Sequence, residues 1–129
     1  NFGSGSSREA AVYALVDFGI RVVIAPSFGD IFASNAVNNG LLPLKLDAQL
    51  VETIIAGLRD DCSTATVNLE TKMLRIGGEC HGFDLPDKWR QKLVRGWDDI
   101  DLTLDRKDEI TAYRDARRAE FNWAWPRQE

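Results

Sequence analysis

The sequence predicts an α/β fold with an added antiparallel element, on two observations. Helix-like and strand-like hydrophobic patterns alternate through residues 8–58, an order that lays parallel strands between covering helices. Beyond them, residues 64–69 and 72–76 alternate with period two on either side of Glu70-Thr71, as the arms of a β-hairpin do.

The elements follow in chain order. Ser6 and Ser7 precede Arg8-Glu9, and Ala11, Leu15 and Phe18 then recur at helical spacing. This predicts a helix that opens at the serines, carries Arg8 in its first turn and ends near Phe18, with Gly19 as its stop. Residues 20–25, rich in β-branched side chains and closed by Pro26, suit a strand buried on both faces. Ser27 and Asp30 resemble an N-cap pair for a second helix that carries Ile31, Phe32, Asn35 and Ala36 and stops at Gly40. Residues 41–46 form a second apolar run. Asp47 then starts the 3.6-residue pattern of Leu50, Val51, Ile54, Ile55 and Leu58. Pro86 and Gly96 frame a short helix bearing Trp89 and Leu93, and Asp105 is placed to cap a final helix through Arg118. From about residue 119 the chain is expected to be extended and to fray over residues 123–129.

Composition excludes some partners. The 129 residues, 44% hydrophobic and 28% charged, predict one domain over residues 1–129 with a genuine core. With 16 Lys+Arg against 20 Asp+Glu the net charge is -4, which leaves no electrostatic footprint for nucleic acid. No apolar run approaches the roughly 20 residues needed to cross a bilayer, so no membrane is expected and the cytoplasm is the expected location. Cys62 and Cys80 are too few for a disulfide scaffold and read as free thiols. The chain opens at Asn1-Phe2-Gly3 without an initiator Met, as a fragment would.

Chemistry concentrates at Gly3-Ser4-Gly5-Ser6-Ser7-Arg8-Glu9. Where a loop enters a helix, unpaired backbone N–H groups and the positive end of the helix dipole converge on an anion. Gly3 and Gly5 permit positive φ or a close backbone approach, and Arg8 offers a two-pronged donor for a carboxylate. A serine oxygen beside those donors would be stabilised as an alkoxide and could act as a base. The same local pattern also fits a plain serine cap preceded by a flexible approach, with Arg8 and Glu9 solvated. It lacks the spacing of a phosphate loop and the third glycine of a dinucleotide fingerprint.

The stretch Asn1-Phe2-Gly3-Ser4-Gly5-Ser6-Ser7-Arg8-Glu9 resembles the N-F-G-C-G-S-S-R-E-H-A signature of isopropylmalate dehydratase small subunits, in the aconitase superfamily. The resemblance continues through residues 17–32, Asn35 and residues 38–43. It returns at residues 96–104, with Ile110 and Tyr113 in the closing helix.

This resemblance implies an aconitase-like swivelling β/β/α domain, a mixed sheet flanked by helices, whose N-terminal strands have no counterpart in this chain. It also implies a hydro-lyase small subunit that interconverts 2-isopropylmalate and 3-isopropylmalate through 2-isopropylmaleate, in leucine biosynthesis, and that is active only in a heterodimer with a large subunit. Ser6 would move the carbon-bound proton. Arg8, with Gly5 and Ser7, would bind a dicarboxylate substrate. No metal or cofactor is expected on this chain, and a 4Fe-4S cluster is expected on the large subunit. Ser4 and Ala10 stand where the family has Cys and His, and tuning rather than loss is expected. The family's upstream substrate-arginine segment and side-chain-selecting loop also have no counterpart. A sister hydratase acting on citraconate or homoaconitate, and a non-catalytic swivel module, are the competing readings.

Other residues are weighed as structural. Two cysteines cannot supply the three or four thiolates of a 4Fe-4S cluster. His81, the one histidine, excludes a His-rich zinc site within the chain. Asp98, Asp99 and Asp101 lack calcium-loop spacing and read as a polar turn. The tryptophans Trp89, Trp97, Trp123 and Trp125 read as core or interface anchors.

Overall fold

The computed structural model describes residues 1–5, 8–58 and 64–126, which form two compact units, Asn1–Trp97 and Asp98–Glu129.

In the first unit, α1 (Ala10–Asp17), β1 (Val22–Ala25), α2 (Asp30–Asn38), β2 (Leu42–Lys45) and α3 (Ala48–Leu58) follow the alternation expected. β1 and β2 pair in parallel with Val22 opposite Leu42 and Ala25 opposite Lys45. Successive strand side chains point to opposite faces. Val22 and Ile24 therefore join a core built on Leu42, Leu44, Leu46, Val51, Leu74, Phe83 and Leu85. Val23 joins a second core of Val12, Phe32, Ala36 and Leu41 on the other face. The expected burial of β1 on both sides is met in this way.

The glycine stops fall where expected. After α1, Gly19 adopts φ 97° and its N–H donates to the Val16 carbonyl, while the Ile20 N–H reaches back to Leu15. This is the Schellman arrangement. After α2, Gly40 at φ 73° repeats it, its N–H on Val37 and that of Leu41 on Ala36.

The hairpin forms as β3 (Ala65–Asn68) and β4 (Met73–Ile76), joined by a turn in which Asn68 Oδ1 accepts from the N–H groups of Glu70 and Thr71. A third strand unforeseen from the sequence, β5 (Glu79–Gly82), continues the antiparallel sheet. Gly77 and Gly78, at φ 58° and 84°, make the turn between β4 and β5. Two successive positive φ values give the twist that a two-residue hairpin needs. α4 (Asp87–Arg95) runs from Pro86 to Gly96 as expected, and Trp89 and Leu93 pack on the first core. Lys92 of α4 is only 4% exposed, and its Nζ donates to Asn38 Oδ1 at 2.7 Å, pinning α4 to the end of α2.

Three expectations about helix starts need correction. Ser27 does not cap α2. Its carbonyl accepts the Phe2 N–H at 2.8 Å, and Gly29 takes the cap position with Asp30 as the first helical residue. Nor do Asp98, Asp99 and Asp101 form a mere polar turn in the second unit. They open a helix, α5 (Asp99–Leu104), in which Asp98 accepts from the N–H groups of Ile100 and Asp101, and the Asp101 carboxylate accepts the Asp98 N–H. That reciprocal pair is a capping box built with Asp. Because α5 occupies this stretch, Asp105 ends it rather than capping the last helix. That helix, α6 (Lys107–Glu120), starts after Arg106, and a 3-10 turn at Asn122–Ala124 follows.

Candidate active site

The motif loop is built against α2. Phe2 forms a parallel bridge with Phe28, its N–H bonded to Ser27 and its carbonyl accepting from Gly29. Its ring meets Phe32 edge-on at 5.3 Å and Phe28 at 6.1 Å, while Phe28 and Phe32 lie parallel at 6.2 Å. Such aromatic contacts add to simple area burial. Gly3 turns the chain at φ 74°, and a Cβ there would fall 2.3 Å from Phe32 Cγ. Gly29 is also tight, though less so, since its Cβ would meet Ser4 Cα at 3.0 Å and the Gly3 carbonyl at 3.2 Å. The loop and the start of α2 thus touch backbone to backbone, which fixes where the following residues emerge.

Those residues lead into α1. The helix begins at Ala10, so Arg8 stands two places before it and not within its first helical turn as expected. The chain is already turning there. The Ala11 N–H points to the Arg8 carbonyl at 3.4 Å, and those of Val12 and Tyr13 bond the Glu9 carbonyl at 2.8 and 3.0 Å. Glu9 has helical backbone angles, yet its carboxylate caps no helix N–H. Its Oε2 instead accepts the Tyr13 hydroxyl at 2.8 Å. The phenol's pKa is raised, first by this hydrogen bond and then by the carboxylate's charge and by desolvation. Sequence reading overlooked this pair, although the i, i+4 spacing of Glu9 and Tyr13 was visible.

Arg8 and Gly5 are both exposed, and a Cβ on Gly5 would meet nothing within 4 Å among the described residues. Gly5 borders open space, and Gly3 provides the close approach. Ser6 and Ser7, the predicted proton-transfer and binding serines, lie outside the described residues, as does Cys62.

The other candidate groups have surroundings of their own. His81 Nε2 lies 3.3 Å from Glu79 Oε2 on β5, a partner the sequence did not reveal. Both border a cleft of about 300 Å³ walled by Leu50, Ile54, Leu58 and Ile76. Cys80 is a free, exposed thiol. No group of three or more His, Cys, Asp or Glu side chains able to hold a metal occurs among the described residues. Trp89 packs, half-buried, against the first core and Trp97 stacks under the Arg95 guanidinium at 4.3 Å, whereas Trp123 is exposed. A larger crevice of about 810 Å³ opens beyond the carboxyl ends of β1 and β2, where open α/β sheets commonly bind ligands. Phe28 is shared between its wall and the motif's aromatic anchor.

Comparison with known proteins finds a family model and relatives that this stretch resembles. Residues 1–49 match the aconitase C-terminal domain, a span that holds the motif loop, α1, β1, α2 and β2. The 3-isopropylmalate dehydratase small subunit of Rhodospirillum centenum is 46% identical over 96% of this chain and 62% of its own length. That of Salinispora tropica is 48% identical over 91% of this chain and 60% of its own. Over most of its length the chain is thus similar to 3-isopropylmalate dehydratase small subunits. A crystal structure of 3-isopropylmalate dehydratase from Methanocaldococcus jannaschii superposes with a TM-score of 0.63 at 30% identity, covering 88% of this chain and 64% of that one. The swivel-type fold expected from the sequence is therefore present. The chain spans about 60% of the length of the curated relatives it matches. No helix among the described residues is long and apolar enough to cross a membrane.

Proposed function

We propose that this chain is the motif-bearing part of a 3-isopropylmalate dehydratase small subunit. It works in the cytoplasm, in leucine biosynthesis, paired with a larger subunit. The observation that carries the reading is the family match over residues 1–49, which coincides with the loop held on α2 by Gly3, Phe2 and Phe32.

In this reading, a small dicarboxylate lies against the loop. Arg8 binds one of its carboxylates through a two-pronged contact, helped by the backbone at Gly5 and by Ser7. Ser6 takes the carbon-bound proton as hydroxide departs, turning 2-isopropylmalate into 2-isopropylmaleate. Water then returns with the opposite regiochemistry, Ser6 restores a proton to carbon, and 3-isopropylmalate results. Unpaired N–H groups and Arg8 concentrate positive potential where negative charge develops, which lowers the barrier for proton removal. The two cysteines of this chain are too few to hold a 4Fe-4S cluster, and in this reading the large subunit carries it. When bound, it supplies Lewis acidity toward the leaving hydroxyl.

Reconstitution of the complete small subunit with its large partner, assayed on isopropylmalate, citraconate and homocitrate, tests the assignment. Turnover of isopropylmalate well above the other two is expected. Preference for either of the others would move the protein to a sister hydratase.

A further inference from the structure

We infer that Phe32 is a positioning residue for the proton-transfer step, because its ring is the surface on which Gly3 sets the motif loop. The inference rests on the reading of Ser6 as the residue that moves the carbon-bound proton.

Backbone hydrogen bonds tie Phe2 to the carbonyl of Ser27 at 2.8 Å and to the N–H of Gly29 at 2.9 Å. They hold one residue of the loop without fixing the direction in which the chain leaves it. That direction is set at Gly3. Its φ of 74° turns the chain onto Phe32, whose Cγ and Cδ2 lie 2.3 and 2.7 Å from where a Cβ would stand. Ser4 then passes over Gly29, at the head of the same helix. The ring beneath Gly3 has no room to yield. Phe32 is 3% exposed, lies parallel to Phe28 and edge-on to Phe2, and packs with Val12, Ala36 and Leu41 in the second core. A close-packed side chain of this kind transmits displacement instead of absorbing it.

Ser6 follows Gly3 by three residues, so a shift of Gly3 passes along a short piece of chain to the serine. Arg8 has an anchor on its other side. It leads into α1, whose Val12 is fully buried in a cluster that also holds Ala36 and Leu41. A change in the Phe32 ring therefore displaces the proton-transferring part of the motif more than the carboxylate-binding part. Misplacement of a reacting group by about 1 Å costs roughly a hundredfold in rate, and a smaller shift costs proportionately less.

The test is steady-state kinetics of the complete two-subunit enzyme with isopropylmalate, at a temperature where circular dichroism shows each variant folded. Phe32→Leu keeps an apolar side chain but removes the flat ring. Its kcat is expected to fall about tenfold while KM stays within about threefold of the parent. Gly3→Ala disturbs the same contact from the loop side and should give the same kinetic signature. Asn38→Ala loosens the far end of α2, at Lys92, without touching the loop, and should keep the parent kcat. Parent-like kcat in Phe32→Leu overturns the inference, as does a KM that rises as much as kcat falls, or an equal loss of kcat in Asn38→Ala. If Phe32→Leu does not fold, Gly3→Ala decides, and parent-like kcat there overturns the inference equally. Ser6→Ala, run alongside, separates the two levels. Parent-like kcat in Ser6→Ala would remove the reading of Ser6 itself, whereas a collapse there with parent-like Phe32→Leu removes only the role of Phe32.

Discussion

Gly3 sits directly against the ring of Phe32, so closely that a single added methyl carbon would lie 2.3 Å from Cγ and 2.7 Å from Cδ2. The motif loop is seated by the absence of a side chain at one position and the presence of an aromatic ring at the other. Gly3→Ala meets two penalties, the contact with Phe32 and a φ of 74° that L-residues rarely adopt. A loss of about 2–4 kcal/mol is expected in chemical denaturation, from overpacking plus backbone strain. Phe32→Ala removes only the first penalty. The double variant should therefore be more stable than the sum of the single changes predicts, a coupling that a double-mutant cycle measures directly.

Lys92 and Asn38 lock the other end of α2. Truncating Asn38 to Ala takes an acceptor from an ammonium on a residue only 4% exposed, at a cost of about 1–3 kcal/mol. Lys92→Met removes the charge together with its need for an acceptor and should cost less. Equilibrium unfolding of the two variants checks the order, and a larger loss for Lys92→Met would show that the ammonium itself stabilises the helix pair.

The fold was legible wherever its causes are local. Gly19 and Gly40 announced the ends of α1 and α2 because a left-handed cap depends on the residue that adopts it. The parallel pair β1 and β2 followed from apolar runs separated by a helix. What escaped depended on distant partners or on polar sequence. Ser27 has the composition of a cap, but its carbonyl is engaged by Phe2, twenty-five residues earlier in the chain. β5 contains Glu79, Cys80, His81 and Gly82, with no apolar alternation to mark it, and only the preceding Gly77-Gly78 signalled a tight hairpin. α5 is held by carboxylate caps that read in sequence as a solvated acidic turn. At the site, the glycines and Arg8 could be named from the motif. The aromatic anchor required α2 to be laid against the loop, whereas the Glu9–Tyr13 pair lies one turn apart on a single helix and was overlooked although its spacing was visible.

That glycine turn has its own test. Gly77 lies at φ 58° with open space where a Cβ would go, so the constraint is conformational and not steric crowding. Gly77→Asn, which tolerates the left-handed region, should leave stability almost unchanged, whereas Gly77→Val should cost about 1–2 kcal/mol. Thermal melts of the two variants distinguish a backbone requirement from a merely small-residue preference.

Arg8 and Ser6 should fail in different ways in the reconstituted enzyme. In the proposed function Arg8 contacts a carboxylate present in both ground and transition states, so Arg8→Lys should raise KM and also lower kcat, since an ammonium loses the two-pronged geometry. A lost charge-assisted contact of about 1.5–3 kcal/mol corresponds to a tenfold to hundredfold effect. Ser7→Ala should be far milder, at the level of a helix cap worth about 1 kcal/mol.

The central claim is that Ser6 moves the carbon-bound proton, and its most direct test is the steady-state kinetics of Ser6→Ala with isopropylmalate in the complete two-subunit enzyme. A group that acts in the transition state contributes little to ground-state binding, so kcat should collapse while KM stays within a small factor of the parent. Near-normal kcat in Ser6→Ala, with turnover abolished by Ser7→Ala, would shift the role by one residue, and full activity in both variants would place proton transfer on the partner subunit.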